Sequence, residues 1–246
     1  MSTPGFRVLG FDTSAQVTSL ALCQGGGPGQ TTRVLIEQHV PADNRHAETL
    51  LPSLKAMLEE AGWSLEQLDA IAVGVGPGSF TGVRVGVATA KGLGLALHKP
   101  VFPVVSLEAL AHEALRASDN ARIAACLDAF KGELFCAVYK REGAELRAEL
   151  APFHAVPEAV REGLAAVSGA EPLTLVGAGV TRYPELLADA PAAFQVLSNI
   201  AAPRASIVAE LAAARFARRE IPELARVAPI YLRDSDAQLP KVPLRV

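Results

Sequence analysis

Two aspartates stand at matching points of a repeated strand, turn, strand pattern. Asp12 follows the apolar run Phe6 to Phe11 and precedes Thr13 and Ser14; Asp128 follows Arg122 to Leu127. Carboxylate oxygens hold hard cations and turn N–H groups cradle anions. With the glycine turn at Gly177 and Gly179, the pair therefore fits Mg²⁺ and the phosphates of a nucleotide. The same residues equally fit two tight turns closed by Asx-type hydrogen bonds. A second segment with chemical promise is Val75-Gly76-Pro77-Gly78-Ser79-Phe80-Thr81-Gly82-Val83-Arg84. It opens a helix whose free N–H groups and positive dipole end could receive an anion. No Gly-Lys-Ser/Thr follows, so it is not a phosphate loop, and Gly74-Val75-Gly76 lacks the third glycine of a dinucleotide fingerprint. Ser79 and Thr81 serve equally well as helix caps. Ser79 is not a nucleophile on an elbow, because Pro77 and Thr81 occupy the flanking glycine positions.

The remaining reactive side chains are scattered. His39, His46, His98, His112 and His154 include no pair three to five residues apart, which leaves no ready two-histidine metal site. Cys23, Cys126 and Cys136 have no metal or redox spacing and lie among apolar neighbours, as buried thiols of a reducing compartment do. No acid/base pair or activated nucleophile emerges.

The elements that would position these residues form a duplicated plan. Phe6 to Phe11, Val17 to Cys23 and Arg33 to Val40 read as an antiparallel meander, turned by Gly25-Gly26-Gly27-Pro28-Gly29 before its third strand. A helix follows from Arg45 to Ala61, with Leu50, Leu54, Met57, Leu58 and Ala61 on one face and Gly62 as its stop. Pro52 inside it predicts a bend or a late start. Ser64 to Gln67 matches a capping box, and Ala70 to Val75 is an apolar strand feeding the Gly-Pro-Gly turn. The next helix ends near His98. The second half repeats the sequence of elements with Arg122 to Leu127, Leu134 to Tyr139, Leu173 to Val176 and a helical segment near Pro184 to Ala188. A long amphipathic helix, Ala205 to Arg219, and an extended tail close the chain. The expected fold is α/β, two lobes split as residues 1–104 and 105–246, with helix 205–219 packing back on the first lobe.

The chain has 246 residues, 50% of them hydrophobic and 20% charged, enough for a sizeable core. A net charge of −3 argues against a protein whose main work is gripping nucleic acid. From Pro203 onward the balance is +3 against −6 before it, so the C-terminal segment with Arg215, Arg218 and Arg219 could touch RNA or form a solvated face. No secretory signal and no membrane-crossing run is apparent, and a cytoplasmic location is expected.

The most unusual feature is structural. Gly82, Gly86, Ala90 and Gly94 recur at every fourth position of the second helix, giving a stripe almost without side chains. Each interior glycine costs roughly 0.5–1 kcal/mol relative to alanine, so close packing must offset it. That stripe, with Val83, Val87, Leu50, Leu54 and Met57, either covers the lobe's own sheet or receives a second subunit.

Five segments together carry a family resemblance. They are Leu9-Gly10-Phe11-Asp12-Thr13-Ser14, His46-Ala47-Glu48-Thr49-Leu50-Leu51-Pro52, Gly76 to Gly86, Leu127 to Phe135, and Tyr231-Leu232-Arg233. In this order they resemble the TsaB (YeaZ) family, the dimerisation subunit of the bacterial tRNA threonylcarbamoyladenosine transferase. The resemblance implies two ribonuclease-H-like lobes of the actin, Hsp70 and sugar-kinase (ASKHA) type. It implies pairing with the catalytic paralogue TsaD, work alongside the ATPase TsaE, a homodimer when alone, and contact with tRNA mainly through the complex. The paralogue's two metal-binding histidines correspond to Leu107 and Ala111, which cannot ligate a metal, and His112 lies one residue, about 100°, out of register.

The expectations are thus a non-catalytic subunit with no cofactor, no metal and no membrane contact, docking through Leu50, Leu54, Met57, Gly82, Val83, Gly86, Val87, Ala90 and Gly94. A vestigial nucleotide cleft would hold Asp12, Thr13, Ser14, Asp128, Gly177 and Gly179. The rival reading is a stand-alone ATP-dependent kinase or ATPase using that cleft.

Overall fold

The computed structural model describes residues 5–25, 31–42, 45–143, 145–169, 171–188 and 194–233. The glycine turn at 26–30, Lys241 and Arg245 lie outside them.

Strands β1 (Phe6–Asp12), β2 (Val17–Gly25) and β3 (Arg33–Pro41) form the antiparallel meander, and β4 (Ala70–Gly74) and β5 (Val101–Val104) extend it in parallel. The sheet order is β3-β2-β1-β4-β5. Helix α1 (His46–Ala61) precedes β4, α2 (Phe80–Leu97) crosses from β4 to β5, and α3 (Ser106–Ala114) leaves β5. The second sheet repeats the order as β8-β7-β6-β9-β10, from β6 (Arg122–Phe130), β7 (Glu133–Glu142), β8 (Glu145–Ala155), β9 (Leu173–Val176) and β10 (Phe194–Leu197). Its helices are α4 (Pro157–Ser168), α5 (Ala178–Arg182) and α6 (Ala205–Ala217). Two copies of one mixed sheet, each a meander followed by two parallel strands, make a pair of ribonuclease-H-like lobes, the α/β class expected.

The helices cover the sheets on both faces. Helices α1 and α2 lie on the outer face of the first sheet, where Leu9, Phe11, Leu50, Leu54, Met57, Val83 and Val87 share one core. The other face is covered by α6, whose Ala205, Val208, Ala209 and Ala212 pack on Val8, Ala21, Ala70 and Ala72. Because α6 contacts strands, α3 and solvent on different sides, most of its residues are buried and its amphipathic contrast is weak. In turn α3 covers the second sheet, with Leu107, Leu110 and Ala111 against Ile123, Ala125 and Leu127. Helices α4 and α5 close its far face.

Local differences from expectation have simple causes. Helix α1 starts at His46 and runs through Pro52 rather than starting late, because its apolar face fixes it to the sheet. Strand β8, helix α4 and strand β10 extend the second lobe beyond the segments expected there. All three cysteines are buried as expected, and burial pushes the Cys23 thiol up to about 12. No helix among the described residues is long and apolar enough to cross a membrane.

Candidate functional site

The turn after β1 is built inward. Asp12 Oδ1 accepts hydrogen bonds from the Ser14 N–H (2.7 Å) and Ser14 Oγ (2.6 Å), and its Oδ2 accepts from Ser106 Oγ (2.6 Å) at the start of α3. Ser106 Oγ in turn accepts from the Gly76 N–H (3.1 Å), tying the Gly-Pro-Gly turn to the same carboxylate. A Cβ on Gly74 would stand 1.8 Å from Asp12 Oδ2, so glycine there leaves room for the carboxylate. Burial raises the Asp12 pKa, against the hydrogen bonds from Ser106 and Ser14 and the nearby His46, which lower it. Thr13 Oγ1 donates to the Gly82 carbonyl (2.7 Å), and His46 Nδ1 shares a hydrogen bond with Thr18 Oγ1 (2.8 Å). Burial holds His46 below its usual pKa, partly offset by Asp12.

Asp12 and Thr13 therefore hold elements together and do not line the space between the lobes, which corrects their expected place in a nucleotide cleft. The cleft itself is real, about 470 Å³ in volume. Ser14, Ala15, Gln16 and Val17 form its first wall; Leu127, Asp128, Phe130, Ala178, Thr181, Arg182, Ala201 and Ala202 form the other. Asp128 does line it, with Oδ1 accepting from the Phe130 N–H (2.9 Å) and the Tyr183 hydroxyl (2.8 Å) and Oδ2 paired with Arg182 Nε (3.0 Å).

Gly177 and Gly179 pack against β6 instead of facing the cleft. With φ near +101°, Gly177 lies so close that a Cβ would come within 2.1 Å of the Cys126 carbonyl oxygen. The N–H groups of Gly177 and Ala178 are already spent on the carbonyls of Ile200 (2.7 Å) and Ala201 (2.8 Å). Two N–H groups at the start of α5 are thus engaged within the chain. Among the described residues, no group of three or more metal-ligating side chains comes together, and Leu107 and Ala111 are buried in the second core.

The expected docking stripe is also corrected. Gly82, Val83, Gly86, Val87, Ala90 and Gly94 all face inward, as do Leu50, Leu54 and Met57. A Cβ on Gly82 would stand 2.0 Å from the Thr13 carbonyl oxygen, one on Gly86 2.4 Å from Thr13 Oγ1, and one on Gly94 2.4 Å from Val101. The glycines let α2 seat on the β1 turn and the sheet, so the closely approaching backbone is the protein's own. Ser79 caps this helix by accepting from the Gly82 N–H (3.2 Å), as anticipated.

What these helices leave outside is different. Leu51 is 52% and Leu95 64% exposed, and Ala88, Gly92 and Ala96 form a second small-residue row facing solvent. Among the described residues, nothing lies within 4 Å of a Cβ placed on Gly92. Beside this row, Leu51, Leu54, Leu58, Trp63, Leu65 and Leu93 line a groove of about 280 Å³ with the Lys55–Glu59 pair at its rim. At the other end of α2, the Arg84 guanidinium lies 3.5 Å over the Phe80 ring and donates to the Tyr231 hydroxyl (2.8 Å). Phe80 and Arg84 were readable as a helical i, i+4 pair, but their contact with Tyr231 spans 147 positions and left no local signal.

The C-terminal arginines are largely partnered. Arg204 pairs with Glu37 and Glu113, Arg218 with Glu220, and Arg226 with Glu223, while Arg215 donates to the Pro103 carbonyl and lies over the Phe102 ring. These charges brace α6 and its surroundings.

Known proteins resemble this chain over nearly its whole length. Residues 38–241 match the family model described as TsaD: tRNA N6-adenosine threonylcarbamoyltransferase. The tRNA threonylcarbamoyladenosine biosynthesis protein TsaB of Escherichia coli (strain K12) is 32% identical over 238 residues, covering 94% of this chain and 96% of that protein. TsaB of Haemophilus influenzae is 30% identical over 233 residues, 92% and 93% of the two chains. The solved structure of YeaZ from Pseudomonas aeruginosa superposes with a TM-score of 0.77 at 33% identity, covering 92% of this chain and 100% of that one. Fold, motif order and near-complete alignment place the chain in the TsaB (YeaZ) family.

Proposed function

We propose that this chain takes part in making threonylcarbamoyladenosine on tRNA as a non-catalytic subunit that docks a TsaD-type catalytic paralogue. The observation that carries the docking is the outward row of α2. Gly92 sits in mid-helix at a cost of about 1 kcal/mol relative to alanine and has no neighbour among the described residues to offset it. With Leu51, Leu95 and the adjoining groove, it forms an apolar face suited to another helix backbone. A paralogue of the same fold carries the corresponding helices, so like faces pair about a pseudo-two-fold axis, and a second copy of this chain takes that place when the paralogue is absent. The inward stripe supports this face from beneath. The ATPase TsaE acts on the assembled pair, and tRNA is met mainly through the complex.

The subunit needs no nucleotide of its own on this reading, which rests on Asp12 being turned inward and on the Gly177 and Ala178 N–H groups being bonded within the chain. Calorimetry of the lone chain with Mg-ATP is expected to show neither tight binding nor turnover; either would favour the kinase or ATPase reading. Docking is tested by Leu95→Glu and Gly92→Arg, both on exposed positions. Each variant should keep the wild-type circular-dichroism spectrum yet run as a monomer on size exclusion and fail to co-purify with the paralogue. Retained pairing by both would assign the interface elsewhere.

A further inference from the structure

A second hollow lies well away from the cleft, and among the described residues none lines both. The cleft meets β6 at Asp128, near the end of that strand. The hollow adjoins its start, where Lys140 pairs with Arg122 and the Arg141 N–H donates to the Ala121 carbonyl (2.7 Å). About 200 Å³ in volume, it sits where α3, α6 and the turn from β7 to β8 meet. That is below the roughly 300–1,000 Å³ of most ligand pockets, so only a small molecule fits.

One cation in its wall is only partly spent. Arg141 Nη2 donates to the carbonyls of Leu115 (3.1 Å) and Ser118, beyond the end of α3. Its Nε is buried with no hydrogen-bond partner, and among the described residues its guanidinium is paired with no carboxylate. A buried donor without an acceptor is costly and rare in folded proteins. The neighbouring charges do not supply the missing anion. Arg116 is paired with Glu210, and burial holds His112 below its usual pKa, so its ring is uncharged at neutral pH. The unanswered charge of the hollow is therefore the single positive one of Arg141. Glu210 and Glu145 both act on His112 from nearby and would repel a second negative charge on a ligand. Leu115, Ile207 and Leu211 add apolar side chains to the same wall.

The geometry points to a binding site for a short-chain aliphatic monocarboxylate, its head on the Arg141 guanidinium and its tail against Leu115, Ile207 and Leu211. A guanidinium and a carboxylate form hydrogen bonds of the stronger, charge-assisted kind.

Titration of the full chain with sodium butyrate, followed by the His112 and Arg141 side-chain NMR signals at an ionic strength held constant with sodium chloride, tests the site. Butyrate should shift both signals saturably. Butyramide, which keeps the shape without the charge, and inorganic phosphate, which carries more charge and no tail, should each bind about tenfold more weakly or worse. Arg141→Gln should abolish saturation of the His112 signal. Because that change also removes a contact at the end of α3, Leu211→Phe gives an independent check: it fills the apolar side, keeps every charge, and should weaken butyrate about tenfold. Glu210→Gln removes a repelling carboxylate and should tighten butyrate about threefold, an effect that a purely structural role of Arg141 would not give. Circular dichroism reports that each variant is folded. Shifts that never saturate, equal affinity for butyramide or phosphate, or wild-type affinity in Leu211→Phe or in a folded Arg141→Gln overturn the proposal.

Discussion

Gly82 and Gly92 lie on one helix and face opposite ways, and they are expected to answer the same substitution with opposite signs. Gly82→Ala drives a Cβ to 2.0 Å from a backbone oxygen that cannot retreat and should destabilise by about 1–3 kcal/mol. Gly92→Ala meets nothing and should stabilise the lone chain by up to about 1 kcal/mol. Urea titrations of both variants check the pair. His46 supplies a pH-dependent prediction. Its folded pKa is depressed by burial, so the stability it contributes is present above the unfolded value near 6.5 and is lost as pH falls through the folded value. His46→Gln should flatten that acid-side decline, read from melts between pH 7.5 and 5. The aspartates and the glycine spacing were visible in the sequence, but the direction each faced was not. Asp12 is committed by Ser106, 94 positions away, and the stripe by a carbonyl across the lobe. Residue type was legible where chemistry is local, and orientation was hidden where a distant partner decides it.

Helix and strand identity was legible wherever periodicity and end signals coincided. The Ser79 cap, the Gly62 stop and the apolar strands β1, β4 and β9 are cases in point. Strand β8 gave less because it is an edge strand with mostly exposed or half-buried residues and no clean alternation. Helix α4 carried usable marks, Pro157 in its first turn and Val160 and Leu164 one turn apart on the core face. Ser79→Ala should cost about 1 kcal/mol through the lost cap on the Gly82 N–H, measurable by chemical denaturation. The inward stripe also changes what a charge in α2 would report. Val87 is buried in the first core, so Val87→Glu should unfold the lobe, seen as lost circular dichroism, where Leu95→Glu leaves it intact.

The duplication of the whole molecule was legible because each half repeats the same meander. The return of the α6 segment onto the first lobe was legible too, whereas the course of the tail was not. Helix α3, which opens the second lobe, lies on that lobe's own sheet, while α6 crosses back to the first. The tail adds a strap: Val227 and Ile230 enter the first core, Ile230 N–H donates to the Val75 carbonyl (2.8 Å), Leu232 packs on the second core, and Arg233 reaches Ala129. Cutting the chain after residue 226 should therefore uncouple the lobes, turning a single calorimetric transition into two; a single transition in the truncated chain would refute this coupling. The crossing of α6 also bears on synthesis. As the polypeptide emerges from the ribosome, the first sheet must wait with one apolar face uncovered until α6, more than a hundred residues later, has left the exit tunnel. The amino-terminal half is therefore expected to complete its packing only once α6 is available, with an apolar face open until then.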